Sequence, residues 1–354
     1  MQRRPLGTSG LEIPAIVFGA YPLGGTNWGP RDDEEALRAL KAAFDAGMTA
    51  VDTAPVYGFG VSEGLVGRAI AGRRDEIVVM TKVGLRWDQN HGRAAFTVPN
   101  ESGKARTVRH DGRPSSVRAE VEASLIRLNV ERIDLVQLHA PDPDVPPEES
   151  LGALADLRSE GKLRAVGSSN LSMDQMKDSH AALQPIGLAS EQLHFSLLAR
   201  SAEQERLPWA KSNGVGVLAY SPLDQGLLAG AVPASRQFPK GDKRSTRWTF
   251  QPENRALVNN LIERVVQPIA RDHDCTVGQT VLAWTAAQPG ISAVLVGARR
   301  ASHALENVAA GEIALNTDER DAIDRAFGEL QLVRPRRSAW ARGLALISRT
   351  LSRS

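Results

Sequence analysis

A rhythm of short β-prone runs and longer helical runs, repeated eight times over residues 15–310, constrains this chain more than any other feature. The β-prone runs are residues 15–19, 50–53, 77–82, 133–139, 165–168, 189–193, 216–220 and 293–296. Each is short and apolar, as buried strands are. Runs with helical spacing lie at 32–46, 62–71, 115–128, 148–160, 172–183, 202–212, 277–288 and 301–310. The first opens on Asp32, Asp33, Glu34 and Glu35, whose charges suit the positive end of a helix. Pro114 and the adjacent serines mark another helix start, and Gly161 marks a stop. Strands alternating with helices imply a parallel sheet with right-handed crossovers. Eight such units predict an α/β chain closed into a (β/α)8 TIM barrel. Residues 3–14, two extended pieces around Thr8-Ser9-Gly10, predict an N-terminal β-hairpin. The rival, an open doubly wound sheet, lacks its fingerprint, because Gly58, Gly60 and Gly64 have the wrong spacing for G-x-G-x-x-G.

A chain of 354 residues can bury the core of such a barrel in one domain. The boundaries expected are 1–330 for the barrel and 331–354 for a basic amphipathic tail, a C-terminal helical extension. Formal net charge is +2, so no global field draws the chain to nucleic acid. The single cysteine, Cys275, cannot form an intrachain disulfide, which fits a reducing, cytoplasmic setting. The N-terminus lacks the apolar segment of a secretory signal, and no apolar run approaches the ~20 residues of a membrane span. No His or Cys pattern has metal-ligand spacing, so no metal is expected.

Four ionisable residues stand at or just past the ends of consecutive strands: Asp52, with Tyr57 in the loop after it, then Lys82 and His139. In a barrel of parallel strands these ends face one mouth, where active sites lie. Tyrosine is a weak acid, with an ordinary pKa of ~10. A nearby ammonium favours the phenolate, and a carboxylate keeps the ammonium charged and oriented. A histidine can bond the reacting oxygen or relay a proton. Asp52, Tyr57, Lys82 and His139 therefore form one unit in which Tyr57 gives a proton to a carbonyl oxygen as hydride reaches its carbon. Two long connections, 91–114 and 223–253, fall on the mouth side and are expected to wall the pocket. Trp28 and Trp87 are candidate substrate walls beside Tyr57 and His139, with Trp248 a weaker one.

The ordered segments Asp52-Thr-Ala-Pro-Val-Tyr57-Gly with Ser62-Glu63, Thr81-Lys82, Gln137-Leu-His139 and Gly167-Ser-Ser-Asn170 resemble those of the aldo-keto reductase superfamily. Gln192, Ala219-Tyr-Ser-Pro-Leu223 and Gly297-Ala-Arg-Arg300 with Glu306-Asn307 continue the series, and the resemblance runs from about Arg3 to Leu330. It implies nicotinamide-dependent reduction of a small-molecule carbonyl substrate. It also implies that Ser169, Asn170 and Gln192 bond the nicotinamide carboxamide and that Tyr220 stacks on its ring. Ser221, Leu223 and Gly226 would lie along the pyrophosphate, with Lys243 and Arg244 closing over it. Gly297, Arg299, Arg300, His303, Glu306 and Asn307 would hold the adenosine end. The adjacent Arg299 and Arg300 suit a 2′-phosphate, which favours NADPH over NADH. His303 departs from the family pattern, where Gln or Arg is expected.

Two rival functions share these residues. One is a cofactor-binding regulatory or accessory subunit with slow turnover. The other is an aldolase using a Schiff base on Lys82. The tail has its own alternatives: Trp340, Leu344, Ile347 and Leu351 recur on one helical face among arginines. A helix packed on the barrel is the plainer expectation, and a peripheral contact with an anionic membrane or a partner is the sharper one. An oligomer is left open.

Overall fold

The computed structural model describes every residue except 2, 26–30, 101, 240–241 and 335–354. The candidate wall Trp28 and the tail residues Trp340, Leu344, Ile347 and Leu351 lie outside the described residues.

The chain starts with antiparallel strands β1 (Arg3–Pro5) and β2 (Glu12–Pro14), the expected hairpin. Then come β3 (Ile16–Gly19), α1 (Asp33–Asp45), β4 (Ala50–Asp52), α2 (Val61–Ile70) and β5 (Val78–Val83). Three short strands follow, β6 (Leu85–Arg86), β7 (Ala94–Pro99) and β8 (Ala105–His110). The alternation resumes with α3 (Pro114–Leu128), β9 (Ile133–Leu138), α4 (Pro147–Ser159), β10 (Leu163–Ser169), α5 (Met173–Ala182) and β11 (Ser190–His194). After α6 (Arg206–Ser212) and β12 (Gly216–Tyr220) come α7 (Pro252–Leu261), α8 (Gln267–Asp272) and α9 (Val277–Ala286). The last elements are β13 (Ile291–Val296), α10 (Ala301–Ala309) and α11 (Thr317–Gly328).

Strands β3, β4, β5, β9, β10, β11, β12 and β13 close in that order into an all-parallel barrel. Alternation along each strand decides what the barrel encloses. Val17, Ala50, Val78, Met80, Leu135, Ala165, Leu218 and Ala293 fill its interior, and Leu6, Leu11 and Ile13 of the hairpin plug the N-terminal end. Each step of two residues climbs one layer. Ala50 leads to Asp52, Met80 to Lys82, Leu135 to Gln137 and Leu218 to Tyr220, so the polar residues stand on top of the apolar column. The larger outer core lies between strands and helices, where Phe18, Val136, Val166 and Val217 meet Leu40, Leu154 and Trp284.

One expected long loop is structured, and a stretch the sequence reading left unassigned is helical. The connection 91–114 is not an irregular loop: β8 pairs with β7 on one side and β6 on the other. Its Val98 and Val108 are buried with Ala54, Val56 and Leu85, while Phe96, on the same face of β7 as Val98, is exposed, so the burial does not follow a simple alternation. The stretch 252–272 is also ordered, as α7, a π-helical turn (Ile262–Val266) and α8. Val258, Ile262, Val266 and Ile269 form its buried face. Pro268 breaks the sequence signal there, and the wide turn just before it accommodates the proline's missing N–H. Helix α11 carries its own start signal, Asn316 capping with Glu319 in a reciprocal box.

Candidate active site

Tyr57 is held by its loop rather than by a strand. Gly58 has φ +64, and a Cβ there would lie 2.4 Å from the Gly24 carbonyl oxygen. Only glycine fits that approach, so the loop is pressed onto the turn after β3. Ser62 at the start of α2 bonds Thr53 Oγ1 at 2.9 Å and donates to the Ala20 carbonyl at 3.0 Å, tying the same two loops.

Lys82 Nζ donates to Asp52 Oδ1 at 2.5 Å, to the Thr53 carbonyl at 3.0 Å and to the Tyr57 hydroxyl at 3.2 Å. All three ammonium protons therefore have acceptors in a site where Lys82 is 1% exposed. Asp52 takes two more donors on Oδ2, Gln192 Nε2 at 2.9 Å and Gln137 Nε2 at 3.1 Å. Gln192 also donates to Gln137 Oε1 at 3.1 Å. The His139 ring meets the Tyr57 ring edge-on with centroids 5.8 Å apart. The expected four residues thus converge.

Their electrostatics refine the expectation. Burial drives the Tyr57 hydroxyl upward, the Lys82 charge opposes it, and burial wins: its pKa is pushed up to about 12. The net lowering anticipated from the ammonium alone does not occur, because desolvating a phenolate costs more here than one ammonium returns. Burial alone would depress Lys82, but the Asp52 charge and the Tyr57 contact outweigh it and hold the ammonium above its ordinary value. A lysine kept charged in this way is a poor Schiff-base nucleophile, which argues against the aldolase reading. Burial, helped by the Lys82 and His110 charges, holds His139 well below the usual imidazole range, so it is neutral at pH 7.

The residues expected around a nicotinamide form one rim. Asn170 has φ +62 and turns its side chain across the mouth. Its Nδ2 donates to the His139 carbonyl at 3.1 Å and to Ser169 Oγ at 2.9 Å, and its Oδ1 accepts from the Tyr220 hydroxyl at 2.9 Å. Gln192 differs from the others: it is buried and its Nε2 is turned inward to Asp52 and Gln137. Behind the rim Glu191, 1% exposed, accepts from Ser168 Oγ at 2.5 Å and Leu171 N at 3.0 Å. Burial pushes that carboxyl up to about 7.

Ser221 and Gln225 take left-handed φ values, and Gly226 has φ +91 with open space beside its Cα. Such a turn offers backbone N–H groups of the kind that cradle phosphates, with Leu223 half-buried at its centre. Lys243 is exposed. Arg244 is engaged by Asp242 at 2.7 Å and lies over Phe238, 5.0 Å from the centroid. Arg247 instead reaches Asp224 at 3.5 Å. Past β13, Gly297 packs on Pro22, and Asn307 Nδ2 donates to its carbonyl at 3.5 Å. Arg300 and His303 are exposed, Arg299 is half-buried, and Glu306 Oε1 accepts from Thr276 Oγ1 at 2.8 Å, anchoring α10 to α9. These surfaces could hold a dinucleotide stretched from Asn170 and Tyr220 to Arg300.

Trp87 packs against the flap formed by β6, β7 and β8, on Leu85, Val98 and Val108, and against Phe59, ring centroids 5.7 Å apart. Trp248 lies under Arg334, 5.6 Å away, where Asn254 and the backbone of Val333 exchange bonds of 2.9 and 2.7 Å. Sequence reasoning passed over Tyr21, whose ring lies 4.9 Å from Tyr57, and Arg247, which carried no strand-end signal. It quoted Gln137 only within a motif, although its place two residues before His139 marks it as inward-facing. Among the described residues no cluster of His, Cys, Asp or Glu could hold a metal ion. No helix among them is long and apolar enough to cross a membrane.

An Asp–Lys–Tyr–His cluster at the C-terminal mouth of a closed (β/α)8 barrel is the arrangement of a carbonyl oxidoreductase. The family model described as Aldo/keto reductase family matches residues 15–327, and the chain belongs to that family, whose members carry out nicotinamide-dependent carbonyl reduction. It is 35% identical over 302 residues to the aldo-keto reductase YhdN of Bacillus subtilis, covering 85% of this chain and 86% of that one. It is 34% identical over 328 residues to an NADH-specific methylglyoxal reductase of Escherichia coli, covering 91% of this chain and 96% of that one. Among solved structures, a glycerol dehydrogenase from Gluconobacter oxydans superposes with a TM-score of 0.82 at 34% identity, covering 95% of this chain and 99% of that one.

Proposed function

We propose that this chain is an NADP(H)-dependent reductase of aldehydes or ketones in which Tyr57 is the proton donor. The observation that carries the reading is the buried Asp52–Lys82 pair bonded at 2.5 Å, with Lys82 also 3.2 Å from the hydroxyl of the half-buried Tyr57, beside a neutral His139. When bound, the reduced nicotinamide supplies the hydride. The residues do the rest. Tyr57, pushed up to about 12, keeps its proton until the substrate oxygen gains alkoxide character and becomes the stronger base. Lys82 then stabilises the phenolate left behind, a preorganised charge aimed where charge develops. Asp52, itself fixed by Gln137 and Gln192, keeps Lys82 aligned. Neutral His139 can donate an N–H to the carbonyl oxygen without competing for its proton.

Asn170, Ser169 and Tyr220 would orient the nicotinamide, and the turn at Ser221–Gly226 would meet the pyrophosphate. Arg299 and Arg300 support a 2′-phosphate, whereas the NADH specificity of the E. coli relative supports the other cofactor, so the two must be compared directly. The experiment is steady-state oxidation of NADPH and NADH with a panel of aldehydes, for the wild type and Tyr57→Phe. Turnover favouring NADPH that collapses in the variant is expected. Activity surviving Tyr57→Phe would overturn the acid assignment. Tight cofactor binding with no turnover on any carbonyl would favour an accessory subunit.

A further inference from the structure

The flap over the mouth has a charged cleft that the chemistry above does not use. The β6–β8 ladder ends at the pair Arg86 and Arg109, yet β8 runs back to Ala105, paired there with β7 on its other side. The segment after Arg86 diverges from β8, and a cleft of about 470 Å³ opens between them. Trp87 and Asp88 stand on one wall, and Lys104, Arg106 and Arg109 on the other.

The charge balance of the cleft is positive. Both carboxylate oxygens of Asp88 are taken by Arg86, at 2.8 Å each. Arg109 gives one N–H to the Gly92 carbonyl at 3.1 Å. Among the described residues no carboxylate pairs with Lys104, Arg106 or Arg109. Arg106 and Arg109 on β8 and Lys104 just before it repel one another, and an oxyanion placed among them relieves that repulsion while accepting their N–H groups.

The cleft also adjoins the chemistry. The Arg106 guanidinium lies 5.5 Å over the Phe59 ring, and Phe59 lies 5.7 Å from Trp87. Tyr57, Phe59 and Trp87 pack against the same small cluster of Ala54, Val56, Leu85, Val98 and Val108. Trp87 thus lines the cleft and packs on the same cluster as Tyr57. We infer that the cleft is the anion-recognising arm of the substrate site, taking the oxyanion of a carboxylated or phosphorylated aldehyde or ketone whose carbonyl reaches Tyr57. This rests on the reductase reading and adds a substrate class to it.

The test compares kcat/KM for succinic semialdehyde and for glyceraldehyde 3-phosphate with that for uncharged butanal, in the wild type and in the double variant Lys104→Gln/Arg106→Gln. The wild type should prefer at least one anionic substrate, and the variant should lower that anionic-to-neutral ratio about tenfold, chiefly through KM, as loss of a charge-assisted bond does. Whichever anionic substrate loses its advantage identifies carboxylate or phosphate as the group read. Raising sodium chloride to about 0.3 M should erode the same ratio in the wild type. Calorimetry with succinate and with inorganic phosphate gives a readout independent of turnover. Binding by the wild type and not by the variant, with no carbonyl reduced, would keep the cleft and sink the reductase reading. Equal ratios in wild type and variant, or no binding of either anion together with no anionic preference, would overturn the inference.

Discussion

Replacing Glu120 by Gln should make the protein more stable, and increasingly so as pH rises. Glu120 sits on α3 at 3% exposure, and its Oε2 accepts the Gly84 N–H at 2.6 Å, two residues past Lys82. Its other oxygen is buried without a partner. Burial pushes the carboxyl from 4.5 to about 8, against the pull of the Gly84 bond. The folded state therefore holds a proton that the unfolded chain releases above its own pKa. The associated stability is fully present below about pH 4.5 and is lost as pH rises toward 8. One pKa unit is worth about 1.4 kcal/mol, so the linkage removes roughly 2–3 kcal/mol between about pH 5 and pH 7. In a chain of this size that corresponds to a fall in Tm of about 3 °C. Glutamine keeps an acceptor for Gly84 and has no charge to desolvate. The assay is thermal or urea denaturation of wild type and Glu120→Gln across that pH range, read as the difference between the two. Other titrating groups, Glu191 and His139 among them, contribute equally to both proteins and cancel. A difference that widens with pH is expected, and parallel profiles would refute the reasoning.

Further outcomes follow from the site. Tyr57→Phe should lower kcat about 10²–10⁴-fold while cofactor affinity, read by NADPH fluorescence, stays near wild type. Asp52→Ala leaves buried Lys82 without its countercharge and should cost about 3–5 kcal/mol in urea denaturation, with activity lost as well. Arg300→Gln should raise KM for NADPH about tenfold and change KM for NADH little, and equal effects on both would remove the 2′-phosphate assignment. Glu191 accepts from Ser168 and from Leu171, next to Asn170, more strongly when ionised, so cofactor binding should weaken as pH falls through about 7. In Glu191→Gln that step should vanish, and a step that persists would point to another group.

Much of the architecture was legible because it is written in local patterns. The eight β-prone runs correspond to the eight barrel strands within a few residues at each end, since their apolar character depends on immediate neighbours alone. Asp52, Lys82 and His139 could be placed at the mouth because strand ends in such a barrel share one face. The flap strands 94–99 and 105–110 were hidden, because pairing two polar strands depends on a partner across a turn and on a barrel rim to bury Val98 and Val108. The 252–272 helices were hidden because Pro268 interrupts a pattern that the fold repairs with a π-helical turn.

Sequence by itself therefore determined the repeat, the inward and outward faces of each strand and the identity of the groups at the strand ends. Closure of the barrel decided what those groups became. It carried Gln137 and Gln192, 85 and 140 residues away in sequence, onto the same carboxylate oxygen of Asp52. It also buried Tyr57 deeply enough that desolvation outweighs the Lys82 charge. A nearest-neighbour pattern cannot encode either result, because hydrogen bonds across the barrel and the dielectric around a hydroxyl are properties of the packed whole.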